Sequence, residues 1–293
     1  MSPLRLWLVA ARPQTLPAAV APVLVGTALA ANEDVFKPAR FVAAVLASVF
    51  VQIGTNLAND YSDARRGADT DERLGPVRVT AGGLMPPQRV LTGTYVAFGI
   101  ALAAGVYLSA VAGWELMIVG IASVAAGALY TGGPRPYGYE GLGELFVFLF
   151  FGVVAVGGSY FVQTEELRWE AFALAVPVGL LASAILVVNN VRDLDTDRRA
   201  NKRTLAVKLG RHRARGLFAA MVYLTFAVPV VVAATSELDW WLLLALAALP
   251  LAQPLVRTVR TRTDGASLNA ALAGTGRLLA VYSILLSAGV LLS

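Results

Sequence analysis

Apolar and polar positions alternate along this chain in long blocks. Nine mostly apolar runs stand at roughly 14–31, 39–58, 89–109, 114–131, 144–163, 171–190, 215–235, 239–256 and 268–292. Each is close to the roughly 20 residues that a helix needs to cross a bilayer core. The breaks between them are short or rich in charge, Gly and Pro, and the third and fourth runs are parted only by the turn "AVAG". No strand-like period of two competes with these runs, so the pattern predicts an all-α polytopic membrane protein with nine transmembrane helices around a central cavity. It reads as one integral-membrane domain over residues 1–293.

Composition agrees with that reading. Of 293 residues 57% are hydrophobic and 15% charged, and the mean hydropathy is +0.66. Soluble domains are nearer 25% charged. There is no cysteine, which excludes disulfides and thiolate metal sites, and His212 is the lone histidine, which removes His-based metal clusters and Ser-His-Asp triads. The opening "MSPLRLWLVAARPQTLP" shows no small-residue cleavage site after a compact apolar core, so it reads as a first membrane segment, not a removable signal.

Charge orients the runs. Arg5 and Arg12 precede the first; Arg65, Arg66, Arg73, Arg78 and Arg89 follow the second; Arg135 follows the fourth; and Arg257, Arg260 and Arg262 follow the eighth. The break after the sixth is the densest, from Arg192 through Lys202, Arg203 and Lys208 to Arg215. The other side holds only Lys37, Arg40 and Arg168. By the positive-inside rule the amino terminus is cytoplasmic and the carboxyl terminus outside. Arg277 falls within the ninth run. It either faces a polar cavity or reaches along its stem to the cytoplasmic interface.

Two acidic clusters close even-numbered runs on that cytoplasmic side. The first, "TNLANDYSDARRG", carries Asn56, Asn59, Asp60 and Asp63; the second, "NNVRDLDTDRRANKRTLAVKLG", carries Asn189, Asn190, Asp193, Asp195 and Asp197. Shifting the numbering by 133 lays Asn56 on Asn189 and Asp60 on Asp193, which suggests a loosely duplicated architecture. Helical residues three or four apart share a face, so Asp60 is expected beside Asp63, and Asp193 beside Asp197 with Asn190 one turn earlier. Four converging carboxylates repel one another unless a cation joins them. Ligands that are all oxygen suit Mg²⁺, which takes one or two carboxylates, keeps water, and completes its shell with phosphate oxygens. Arg78, Arg135, Lys202 and Arg203 are placed to hold those phosphates. The alternative is that these acids are solvated loop charges, the role expected of Asp69, Asp71, Glu72 and Asp195.

Two Gly-rich loops adjoin the clusters. "GPVRVTAGGLMPPQR" offers Thr80 and the Gly82-Gly83 pair, which permits close backbone approach to a ligand. "YTGGPRPYGYEGLGELFVFLFFG" sets Tyr130, Tyr139 and Glu144 near Arg135 in a turn or unwound helix. Its rings suit a cavity in which positive charge develops, or equally an interfacial aromatic belt.

At these residues the chain resembles the UbiA superfamily of intramembrane aromatic prenyltransferases. "NLANDYSD" and "NNVRDLDTD" look like its two Asp-rich motifs, and the likeness runs from about residue 10 to 290. "GPVRVTAGGL", "YTGGPRP", "GELFVFLFFG" and "KRTLAVKLG" are similar to the members that prenylate 1,4-dihydroxy-2-naphthoate for menaquinone synthesis. One departure is visible: where many members carry a third acid in NDxxDxxxD, this chain has Gly67. The resemblance implies that Asp60, Asp63, Asp193 and Asp197, aided by Asn56, Asn59 and Asn190, hold Mg²⁺ on a polyprenyl diphosphate. It also implies that an electron-rich ring attacks the resulting allylic cation, that pyrophosphate and CO₂ leave, and that the product is demethylmenaquinone. Tyr130 and Tyr139 would shield the cation, and Arg78 or Arg135 would anchor the acceptor carboxylate. A bacterial plasma membrane with the site toward the cytoplasm follows.

Rival readings are weaker. A transporter site is expected at mid-span, whereas both clusters lie at predicted helix ends. A CDP-alcohol phosphotransferase would show D-x-x-D-G-x-x-A-R, which this sequence lacks. Other aromatic acceptors of the same family, such as 4-hydroxybenzoate, remain alternatives.

Overall fold

The computed structural model describes residues 1–68 and 74–293, so Asp69, Asp71 and Glu72 lie outside the described residues. Among those described the chain is helical, without strands. In chain order the helices are α1 (Pro3–Ala11), α2 (Pro17–Asn32), α3 (Pro38–Arg65), α4 (Pro87–Ala112), α5 (Glu115–Leu129), α6 (Gly143–Val147), α7 (Ala155–Thr164), α8 (Trp169–Arg199), α9 (Leu205–Leu209), α10 (Arg211–Thr235), α11 (Leu249–Thr261) and α12 (Gly265–Leu292). A π-helical segment, Phe148–Val154, makes α6 and α7 one continuous stretch, and 3₁₀ turns at Trp240–Ala248 lead into α11.

Local chemistry sets several of these starts. Proline occupies the first turn of α1, α2, α3 and α4, where its missing N–H removes no helical bond. Asp264 caps α12 by accepting from the Ser267 N–H at 2.8 Å.

Among the described residues seven helical stretches are long and apolar enough to cross a membrane, and the α1–α2 pair, bent by 53°, makes an eighth when taken as one span. The expected span at 114–131 is instead the 15-residue α5. At 1.5 Å per residue it covers about 22 Å, short of a bilayer core of about 30 Å. The nine expected spans are therefore not nine full-length helices. The first expected run, 14–31, is α2 within a few residues; α1 precedes it as a separate helix, and the chain turns at Arg12, whose φ is +53°.

Helix α8 is the axis of the bundle. Of its most apolar window 72% is buried, against 22% for α4. Val178, Leu181, Val188 and Val191 pack with Val25 and Leu29 of α2, Phe218 and Val222 of α10 and Leu268, Leu279 and Tyr282 of α12. Away from the acidic clusters, Arg40 pairs with Glu165 at 2.7 Å and Arg168 with Glu33 at 3.2 Å. These pairs tie together the ends of α2, α3, α7 and α8.

Both motif helices outrun their apolar segments: α3 continues through the first acidic cluster to Arg65, and α8 through the second to Arg199. Arg277 is exposed on the outer surface of α12 and does not line the cavity. Its long stem can follow the apolar helix surface toward water.

Candidate active site

A cavity of about 300 Å³ opens between α3, α4, α5, the α6–α7 stretch and α8. At one end it is lined by Asn56, Asn59, Asp63, Arg78, Thr131, Asn190, Asp193, Asp197 and Lys202, so both acidic clusters border one space. From there it continues past Gly120, Val124, Phe150 and Gly158 to Ala44 and Val162. Asp63 and Ala44 both belong to α3 and lie about 28 Å apart along its axis. The space is therefore a polar chamber on a long apolar tunnel.

Asp63 meets three donors at once. Buried at the end of α3, it accepts from Tyr139 Oη at 2.8 Å, Lys202 Nζ at 3.2 Å and Arg78 Nη2 at 3.3 Å. Lys202 also lies 4.8 Å from the centre of the Tyr139 ring. Asp193 is held differently. Arg192, whose side chain is 1% exposed, grips both its oxygens at 2.8 and 2.6 Å. The same guanidinium reaches Asn189 Oδ1 at 2.8 Å and Asn269 Oδ1 at 2.7 Å, which locks α8 to α12. Asn269 in turn donates to the carbonyl of Leu74 at 3.0 Å.

Asp60 departs from expectation. Residues three apart on an α-helix differ in direction by about 60°, and here that difference decides the partner. Asp60 does not line the cavity; its oxygens accept the backbone N–H groups of Val79 and Thr80 at 3.1 and 2.9 Å. That fastens the loop before α4, whose Val79 and Met85 pack on Ala10, Leu57 and Val90. A tight turn with Gly83 at φ +66° completes the loop. Arg78, on the same loop, is thereby delivered to Asp63.

The remaining predicted residues divide. Tyr130 lines the cavity, and Tyr139 is one hydrogen bond from it through Asp63. Arg135 and Arg203 are exposed and line none of it, and Thr80, Gly82 and Gly83 support the loop instead. Asp195 is exposed and pairs with Arg211 at 2.7 Å, as a loop charge would.

Several lining residues carried no prediction: Arg12, Tyr137, Phe146 and Phe150. Tyr137 stacks on Phe146 at 4.1 Å between ring centres, Tyr130 meets Tyr137 edge-on at 5.4 Å, and Phe146 stacks on Phe150 at 6.2 Å. The i, i+4 spacing of Phe146 and Phe150 was a visible signal. Burial pushes the Tyr137 hydroxyl above the usual tyrosine range, so it stays protonated, donating to the Ala126 carbonyl at 2.8 Å.

The donor set fits a hard divalent cation. Carboxylates from Asp63, Asp193 and Asp197 and amides from Asn56 and Asn190 face one chamber, with no sulfur or imidazole among them. Among the described residues no three acidic side chains are close enough to enclose an ion by themselves.

The fold and the cavity define a multi-pass helical protein with a polar site at one end of a largely apolar interior. The sequence profile of the UbiA prenyltransferase family matches residues 19–291, and the chain belongs to that family. Two curated relatives are both named 1,4-dihydroxy-2-naphthoate octaprenyltransferase. The one from Mycobacterium tuberculosis is 42% identical, covering 95% of this chain and 94% of its own; that from Mycobacterium leprae is 41% identical, covering 95% and 93%. Among solved structures, a UbiA homolog from Archaeoglobus fulgidus bound to DMAPP and Mg²⁺ superposes with a TM-score of 0.69. It is 16% identical and covers 97% of this chain and 98% of its own, a likeness of fold alone.

Proposed function

We propose that this protein transfers a polyprenyl group from its diphosphate to 1,4-dihydroxy-2-naphthoate, releasing pyrophosphate and CO₂ and giving the hydroquinone form of demethylmenaquinone. The observation that carries this reading is the single cavity in which both acidic clusters head an apolar tunnel. The relatives named for this reaction, alike over nearly the whole chain, supply the acceptor. Homologs solved with DMAPP and with GPP, each with Mg²⁺, support an allylic diphosphate as donor.

In this mechanism Asp63, Asp193 and Asp197, with the amide oxygens of Asn56 and Asn190, would hold Mg²⁺, whose charge would offset that developing on a diphosphate leaving group. Arg78 and Lys202, both in contact with Asp63, turn to the diphosphate oxygens and stabilise the same charge. Asp60 acts at one remove by keeping the Arg78 loop seated. Tyr130, Tyr137, Phe146 and Phe150 wall the space where the allylic cation forms, offering ring faces to positive charge and keeping water from quenching it. The acceptor ring attacks that carbon, and loss of its carboxylate as CO₂ restores aromaticity. No side-chain nucleophile is needed.

In this reading the α1–α2 pair and α5 complete nine membrane passes in one domain. The amino terminus and the chamber face the cytoplasm of a bacterial cell, and the carboxyl terminus lies outside. The deciding experiment supplies purified protein, Mg²⁺ and a polyprenyl diphosphate with a panel of aromatic acids and identifies products by mass. A prenylated, decarboxylated naphthalene product is expected. Reaction with 4-hydroxybenzoate but not the naphthoate would move the protein to another acceptor class.

A further inference from the structure

Four asparagines line the cavity; Asn189 gives its oxygen to Arg192, and the hydrogen bonds of the other three fix which end of each amide faces the chamber. Asn56 spends its nitrogen on the Ala11 carbonyl at 2.9 Å and on Thr15 Oγ1 at 3.1 Å. Asn190 spends its nitrogen on Glu144 Oε1 at 2.9 Å. Asn59 is reversed: its oxygen accepts from Thr131 Oγ1 at 2.9 Å. Asn56 and Asn190 therefore present oxygens, which suit a cation, while Asn59 presents N–H groups, which suit an anion such as a diphosphate oxygen.

The orientation of Asn190 depends on one side chain. Asn190 donates to Glu144 Oε1, so this contact uses its amide nitrogen and leaves its oxygen for the chamber. Glu144 is 4% exposed, and Ser183 donates to its backbone carbonyl at 3.0 Å. Its second oxygen, Oε2, is buried without a partner. A buried acceptor left unmatched costs stability, so packing alone does not account for an acid at this position. A fixed acceptor behind the Asn190 amide also orients it, as groups that back metal ligands do.

We propose that Glu144 is a positioning residue that holds Asn190 with its carbonyl oxygen turned into the chamber as a cation ligand. The proposal rests on the metal–diphosphate reading above. It is tested on the purified full-length protein with Mn²⁺ as the spectroscopic probe, titrated in the presence of inorganic pyrophosphate and followed by electron paramagnetic resonance. Glu144→Leu is expected to weaken Mn²⁺ binding about 10- to 100-fold. The decisive variant is the exchanged pair Glu144→Gln with Asn190→Asp, in which the glutamine amide donates to the new carboxylate and an oxygen again faces the chamber. It is expected to bind Mn²⁺ at least tenfold more tightly than Asn190→Asp alone, where two carboxylates oppose each other.

Wild-type affinity in Glu144→Leu, or an exchanged pair no better than Asn190→Asp, overturns the proposal. If Glu144→Leu does not fold, the exchanged pair still decides. A wild-type protein that fails to bind Mn²⁺ with pyrophosphate removes the parent reading, and this proposal with it, so the two failures are distinguishable.

Discussion

Asp60 and Asp63 stand one turn apart on α3 and make unlike contacts. Asp63 meets two cations and a tyrosine at the chamber, whereas Asp60 fastens two backbone N–H groups of the Arg78 loop. Asp63→Ala should abolish turnover to background and, because it leaves the buried Arg78 without its carboxylate, also lower the melting temperature of the purified protein. Asp60→Ala leaves the buried Val79 N–H and the half-buried Thr80 N–H unmatched, at about 1–3 kcal/mol for a fully buried group. It should show as faster limited proteolysis between residues 74 and 86 and a raised KM for the diphosphate. Equal proteolysis of the two variants would remove the anchoring role. Both aspartates were legible as residue types, but their division of labour was not, because the partners of Asp60 come from a loop that folds back on it. The 133-residue shift misleads for the same reason: it pairs Asp60 with Asp193, which lines the cavity where Asp60 does not. Arg192 was read as one loop charge among many and is instead a fully buried partner of Asp193. Arg192→Met strands that carboxylate, and breaking a buried ion pair costs about 3–5 kcal/mol. Thermal unfolding should therefore begin well below the wild-type temperature; an unchanged melting curve would show that the pair adds nothing.

The succession of apolar helices was readable because long apolar runs leave no other way to satisfy the backbone in lipid. Among the described residues, however, seven stretches, or eight with the bent pair, reach spanning length where nine were expected. The helix ends were not readable. Hydropathy marks where lipid contact stops, and α3 and α8 go on as helices past that point, carrying Asp60, Asp63, Asp193 and Asp197 on rigid turns instead of loops. The shortness of α5 and the bend before α2 were also hidden, since an apolar run does not reveal where a helix breaks. The π-helical Phe148–Val154 is a third case, where α6–α7 meets α8 at Gly152 and Gly179. A methyl group at Gly152 would fall 2.8 Å from the Gly179 Cα, backbone that cannot step aside. Gly152→Val should push the two helices apart at about 1–3 kcal/mol for the overpacking. Reduced thermal stability and lower turnover are expected together, and a variant that melts like wild type would mean the contact is not tight.

At the scale of the whole molecule, the polar chamber and the apolar tunnel divide the substrate between them. The chamber was legible from clustered charge; the tunnel was not, because its walls are the same Ala, Gly and Val that make any membrane helix. Gly105, Gly120 and Gly158 line it, and a Cβ added at any of them meets open space within 4 Å. Larger side chains there intrude into the tunnel without disturbing the bundle. Gly120→Leu and Gly158→Leu are therefore expected to leave the melting temperature and turnover with geranyl diphosphate near wild type, while turnover with donors of seven or eight isoprene units falls tenfold or more. The measurement is a rate comparison across a series of donor lengths at saturating acceptor. A uniform loss at every length would place the effect at the chamber. Unchanged rates with the longest donors would mean that the tail leaves for the lipid before it reaches Gly120 or Gly158, so that the deep tunnel does not select among tails.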